Sequence, residues 1–347
     1  MSVGCRRLLR VVSTGTALVA LSGCPSVAPT GPNGTGNSGG SSAGGNANGQ
    51  GFVTFQLDNG HNYYMAAQQG ATPVDVSAAL GVFGPSADEG PLNLSPNASW
   101  FVFASNRFDP RCAGNPCLTV VNAALTQVLT VDAAGATVHN DGMAAISSDG
   151  MRIVFSAGDG PHMRDLWTVT RSGLGWSAPQ LLTGDSSFQF NGQPALSGDA
   201  SRVVFDGGDQ PFGQDGTAIC EVMTDGAGFH IVLTIYDLPA PGLTPRGALH
   251  SPDYAPDGSI VFEGDWDGEQ VWRLPPGSTV ALRVSPPPSG NDNSPCVLPD
   301  GRIASLLIGA SGGPDYHELK LMNDDGSTIT ITDAGQNISD AGIGCGG

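Results

Sequence analysis

Basic charge is scarce in this chain. Only 14 Lys and Arg stand against 32 Asp and Glu over 347 residues, a formal net charge of −18. A surface so poor in cations excludes nucleic acid and anionic lipid headgroups as electrostatic partners. Charged residues of both signs make up 13% of the chain and aromatics 7%. Long apolar runs are missing as well, apart from residues 11–21, a stretch too short to span a bilayer comfortably as a helix. Several chemistries leave no motif: there is no Gly-x-Ser-x-Gly elbow and no Gly-Lys-Ser/Thr phosphate loop. None of the six histidines has His-x-x-x-His or Glu-x-x-His spacing, so no local metal motif exists. The acidic stretches Asp265 to Glu269 and Asn323 to Gly326 lack the twelve-residue calcium pattern and read as turns. No metal and no cofactor is predicted.

Gly (51) and Pro (26) are abundant, and 39% of residues are hydrophobic. Short β-branched runs between Gly, Pro, Ser and Thr clusters are the composition of a turn-rich all-β protein with ample core. The N-terminus reads as a targeting segment: Arg6, Arg7 and Arg10 precede the apolar run, which ends in Leu21-Ser22-Gly23-Cys24. This resembles the lipobox of bacterial lipoproteins, which implies acylation at Cys24, export, and anchoring to a membrane on its periplasmic or cell-surface face. An ordinary secretory signal is the alternative. Residues 1–23 are thus expected as signal peptide and 24–51 as lipidated Cys and flexible tether. With no charge and little that can be buried, that tether has a reach of roughly 30 Å. An oxidising compartment permits disulfides. Cys112 and Cys117 bracket a short Gly- and Pro-containing loop and are the preferred pair, whereas Cys220 reads as a buried small hydrophobe.

From residue 52 onward one unit recurs. An apolar strand runs into a polar turn and out as a second apolar strand, at Leu92 to Phe103, Ala144 to Phe155, Pro194 to Phe205, Pro252 to Phe262 and Pro295 to Ser305. A third and a fourth strand follow in each copy, with Trp167 and Trp272 at equivalent third-strand positions suited to packing between units. Four strands per unit at intervals of roughly 40–60 residues is the signature of propeller blades. Phe52 to Leu57 resembles a second strand without a first, with residues 63–66 and 76–82 as its third and fourth. The C-terminal residues 340–345 resemble a first strand without a second. Joining them predicts a six-bladed β-propeller of four-stranded blades over 52–347, its ring closed by the C-terminal segment on the N-terminal blade.

The turns Ser147-Ser-Asp-Gly150, Ala255-Pro-Asp-Gly258 and Leu298-Pro-Asp-Gly301, each followed by an Ile-containing strand, resemble the TolB-type, WD-like β-propeller repeat. Ser95 to Ala98 and Ser197 to Ala200 are degenerate copies. The resemblance implies protein–protein interaction, with an extended segment entering the channel. TolB carries an additional N-terminal α/β domain where this chain has a tether.

The residues just ahead of each innermost strand are expected at one mouth of the channel: Glu89, Asp141, Asn191, Leu249, Asp292 and Asp340, with His139 and His250 nearby. Converging acids would attract a cation or a basic segment; the plainer reading is that Asp and Asn make turns and cap strands. The leading expectation is a monomeric, membrane-tethered binding or scaffold module of the cell envelope, not an enzyme, facing an envelope protein or polysaccharide. The alternatives are a metal-assisted polysaccharide lyase or hydrolase using His139 and His250, and a purely structural lipoprotein.

Overall fold

The computed structural model describes residues 51–84, 86–133, 135–140, 142–173, 175–209, 218–266, 268–285, 291–308, 317–323, 326–332, 338–339 and 342–347. The leader, Cys24, the tether to residue 50, Asp141 and Asp340 lie outside the described residues.

Short strands with polar turns can bury apolar side chains only by stacking sheets face to face, and the chain does so around a ring. The first sheet orders Gly344–Gly346, Phe52–Gln56, Asn62–Ala66 and Val74–Asp75. The second runs Asn93–Leu94, Trp100–Ser105, Cys117–Asn122 and Val128–Thr130. The fourth, fifth and sixth sheets begin with the inner strands Phe190–Leu196, Leu249–Tyr254 and Asn291–Val297, and each continues outward through three more antiparallel strands.

The third sheet departs from this plan and corrects the expectation of six four-stranded blades. Among the described residues five sheets are four-stranded blades, and the third is not a sixth such blade but an irregular sheet of seven strands. Its long strand Asp165–Ser172 pairs near its start with Gln180–Leu181 and at its end with Gly175–Trp176. Trp176 then pairs in parallel with Ala133 of the hairpin Asp132–Ala133/Ala136–Thr137, contributed by the segment that follows the second sheet. A second correction concerns residues 76–82. The last strand of the first sheet is Val74–Asp75, and Val76–Ala79 is a single helical turn. Asp75 causes the switch, because its carboxylate accepts the Ala78 N–H as an N-cap.

The core consists of wedges between neighbouring sheets. Val53, Phe55 and Met65 of the first sheet pack with Leu306, Leu319 and Leu321 of the sixth. Val204 and Ile219 of the fourth pack with Phe262 and Trp272 of the fifth. The second strand of each blade is sandwiched on both faces, so Val203, Val204 and Phe205 are all fully buried. Each such side chain contributes roughly 1.5–3 kcal/mol of burial.

The recurring turns are held by their own side chains. Asp149 accepts from Ser147 Oγ at 2.6 Å and from the Met151 N–H at 2.9 Å, while Ser147 Oγ accepts the Arg152 N–H. Asp199 and Asp257 repeat the arrangement with Ser197 and Ser201, and with Ser259. These bonds hold both carboxyls down at about 2. The last turn residue has positive φ in every copy: Ala98, Gly150, Ala200, Gly258 and Gly301. Glycine adopts that conformation without strain, which is why Ala98 and Ala200 mark the degenerate copies.

The ring closes where Phe52, Val53 and Thr54 pair with Gly346, Cys345 and Gly344. A disulfide joins Cys345 to Cys296 of the adjacent inner strand, and another joins Cys112 to Cys117. Cys220 is a buried free thiol whose ionisation burial suppresses. The chain enters the first sheet at Gly51, packed so closely against Leu298, Pro299 and the Gly346 carbonyl that a β-carbon there would collide.

Candidate functional site

Inner strands of a propeller face an axis instead of a partner strand, and three of them here are bulged. Register shifts occur between Gly192 and Ala195, His250 and Asp253, and Asn293 and Cys296. Each shift falls at a residue before proline. Gln193, Ser251 and Ser294 take φ of 45°, 47° and 47°, uncommon for side-chain-bearing residues. At Ser251 and Ser294 the bulge takes the backbone N–H out of the ladder, and the preceding sheet supplies an acceptor. Gln193 Oε1 accepts the Ser251 N–H at 2.7 Å, and Glu263 Oε2 accepts the Ser294 N–H at 2.9 Å. Adjacent sheets are thereby strapped together close to the axis.

The inner strands of all six sheets surround a central cavity of about 460 Å³. Its walls are largely apolar, with Met143, Ile146, Pro194, Leu196, Pro252 and Pro295 among them. The lining extends outward to Pro96, Gly198, Asp199, Pro256 and Pro299, so the cavity opens at the end of the recurring turns. Arg202 and Tyr254 stand at that mouth, the Tyr254 hydroxyl donating to Glu221 at 2.7 Å and Arg202 ion-pairing with the same carboxylate at 3.1 Å. Burial, followed by Glu221, holds the Tyr254 hydroxyl protonated.

The described acids and histidines singled out in the sequence lie elsewhere. Among the described ones, none of Glu89, Asn191, Asp292, His139 and His250 lines this cavity. Glu89 is buried against Arg107 at 2.6 Å and accepts from Ser77 Oγ at 2.5 Å. Asp292 is fully buried and takes both of its bonds from Lys320 Nζ, at 2.9 and 3.1 Å; Lys320 is the only lysine of the chain. Asn191 accepts from Ser186 Oγ and donates to the carbonyls of Arg164 and Phe188. Asp141 and Asp340 lie outside the described residues. His139 Nδ1 lies 3.1 Å from the Asn115 carbonyl, beside Cys117. His250, on the inner strand of the fifth sheet, pairs with Asp206 of the fourth at 2.9 Å. Burial alone would lower the His250 pKa. The Asp206 bond and charge, with Glu263 and Glu269 behind them, outweigh it and raise the imidazole above its ordinary value. The two histidines therefore have separate partners. Among the described residues, no three His, Cys, Asp or Glu stand together to hold a metal.

Two ionisable groups that the sequence did not single out are prominent. Glu263 is buried, and loss of solvent pushes its carboxyl up to about 7. Asp253 is half-buried and lines the cavity, and its partial loss of solvent pushes its carboxyl up to about 6 despite bonds from the Val297 and Tyr254 N–H groups. A signal for Asp253 existed in the aligned copies, since the equivalent residues Asn93, Ala145, Ala195 and Cys296 are all neutral.

No protein-family model matches the sequence, and no curated protein does. Solved structures do. TolB from Acinetobacter baumannii superposes with a TM-score of 0.62 at 12% identity, over 86% of this chain and 66% of that one. A putative TolB from Agrobacterium tumefaciens gives 0.54 at 19% identity, over 83% and 91%. A chain of a nidogen/laminin complex gives 0.57 at 9% identity, over 86% and 98%. At such identities the likeness is one of fold: the chain is a β-propeller similar in architecture to TolB.

Proposed function

We propose that this protein is an exported, lipid-anchored binding module of the cell envelope that receives part of a partner protein in its central cavity. The observation that carries the reading is the cavity itself. It is built by inner strands of every sheet, joins apolar walls to a few polar groups, and falls within the size range of ligand sites. The likeness in fold to TolB and the lipobox-like Leu21 to Cys24 support an envelope location. In this reading residues 1–23 are removed, Cys24 carries the acyl chains, residues 24–51 form the tether and 52–347 the propeller. The metal-assisted lyase or hydrolase alternative lacks its ligand set among the described residues.

In cells carrying a photo-crosslinking amino acid at Gly198, on the cavity mouth, irradiation should yield a discrete protein adduct. The same probe at the fully exposed Val82, outside the lining, should not. Cys24→Ser should shift the protein out of the membrane fraction. A Gly198 probe that captures nothing in folded, correctly exported protein would overturn the reading.

A further inference from the structure

Each of the six inner strands presents one residue at the same level of the cavity. Register partners on the second strands fix the equivalence: Gly344 faces Thr54, Asn93 faces Val102, Ala145 faces Val154, Ala195 faces Val204, Asp253 faces Val261 and Cys296 faces Ala304. All six line the cavity. Five are small and neutral, and one is a carboxylate. Packing does not call for an acid at this level, because alanine fills the position in the third and fourth sheets.

Strapping does not call for one either. Asp253 accepts the Val297 N–H of the sixth sheet, and in the second sheet the neutral Asn93 makes the corresponding link by donating to the Ala144 carbonyl at 3.0 Å. A carboxylate among apolar walls is costly unless a cation accompanies it. Asp199, at the mouth, is already bonded to Ser197 and Ser201, and Arg202 to Glu221. Among the described residues Asp253 has backbone donors alone.

Resting on the binding-module reading, we infer that the cavity takes the side chain of a lysine in an extended segment of a partner protein, with Asp253 as its counter-charge. The small residues of the ring leave room for an aliphatic stem, and proline and leucine walls suit its methylenes. Each Asp253 oxygen already accepts one N–H, which favours a compact ammonium over a guanidinium needing both oxygens at once. The partner is not a second copy of the chain, since its one lysine is buried against Asp292.

The test uses the folded full chain and two peptides, Ac-Ala-Pro-Lys-Ala-Pro-NH₂ and its norleucine analogue, in calorimetric titrations. The lysine peptide is expected to bind about tenfold more tightly. Asp253→Asn should abolish that preference, and Asp253→Asn combined with Ala195→Asp should restore it by moving the charge to the neighbouring sheet. Carbodiimide coupling of the lysine peptide to the unaltered protein should place the new amide on Asp253, which decides the matter if the variants fail to fold. Equal binding of the two peptides, no binding of either, or coupling at other carboxylates overturns the inference. The Gly198 crosslink in cells reports separately on the broader reading.

Discussion

Glu263 lies on the second strand of the fifth sheet with His250, Glu269 and Asp206 around it, and it accepts the Ser294 N–H. Its folded-state carboxyl titrates near 7 against an ordinary value of 4.5. Between those values the folded protein holds a proton that the unfolded chain releases, so stability falls as pH rises through the window. Above it the buried charge costs about 3 kcal/mol. Asp253 acts in the same direction between 3.8 and about 6. His250 does so as well, since an imidazole raised by its partners stabilises most below its ordinary pKa and loses that contribution as pH rises. Glu263→Gln keeps an acceptor for Ser294 and removes the charge. Its melting temperature should exceed that of the parent at about pH 8 and match it at about pH 4.5, as read by circular dichroism; a lower value at pH 8 would refute this account. Little of this was legible beforehand. The partners of Glu89 and Asp292 are Arg107 and Lys320, 18 and 28 residues away, and no local spacing announces them.

At the scale of single strands, the closing segment Gly344–Gly346 has three residues and two stabilising devices. One is pairing with Phe52–Thr54, and the other is the Cys296–Cys345 bond, which closes a loop of 49 residues. Restricting an unfolded loop of that length is worth about 4 kcal/mol, against about 2 kcal/mol for the five-residue Cys112–Cys117 loop. In urea titrations Cys345→Ser should therefore lower the midpoint about twice as far as Cys112→Ser/Cys117→Ser does; equal losses would show that ring closure does not depend on the staple. That a C-terminal strand would close the first sheet could be read from the sequence, because Phe52 to Leu57 follows the second-strand pattern with no first strand before it. The helical turn at Val76–Ala79 could not, since its cause is a single cap, Asp75, inside a segment with strand-like composition.

For the molecule as a whole, the net charge of −18 makes a long-range field that draws a cationic segment toward it. Stopped-flow association of the lysine peptide should slow as salt rises through the range where the Debye length drops from about 30 to 8 Å, while dissociation changes little. Salt-independent association would show that the field plays no part. Recurrence of the turn made the propeller legible, and the same recurrence hid the irregular third sheet. The hairpin Asp132–Ala133/Ala136–Thr137 belongs to no repeat, and its link to Trp176 is a tertiary contact 43 residues away in sequence that periodicity cannot reveal.

Gly51, wedged against Leu298 and Pro299, also marks the pole of the propeller at which the chain enters the fold. Both leucine and proline belong to the cavity lining, and Gly347 reaches the Pro96 carbonyl on the same side. The chain thus enters the fold at the pole where the cavity opens. A tether leading to Cys24, as proposed above, would be rooted beside the cavity mouth and not at the opposite pole.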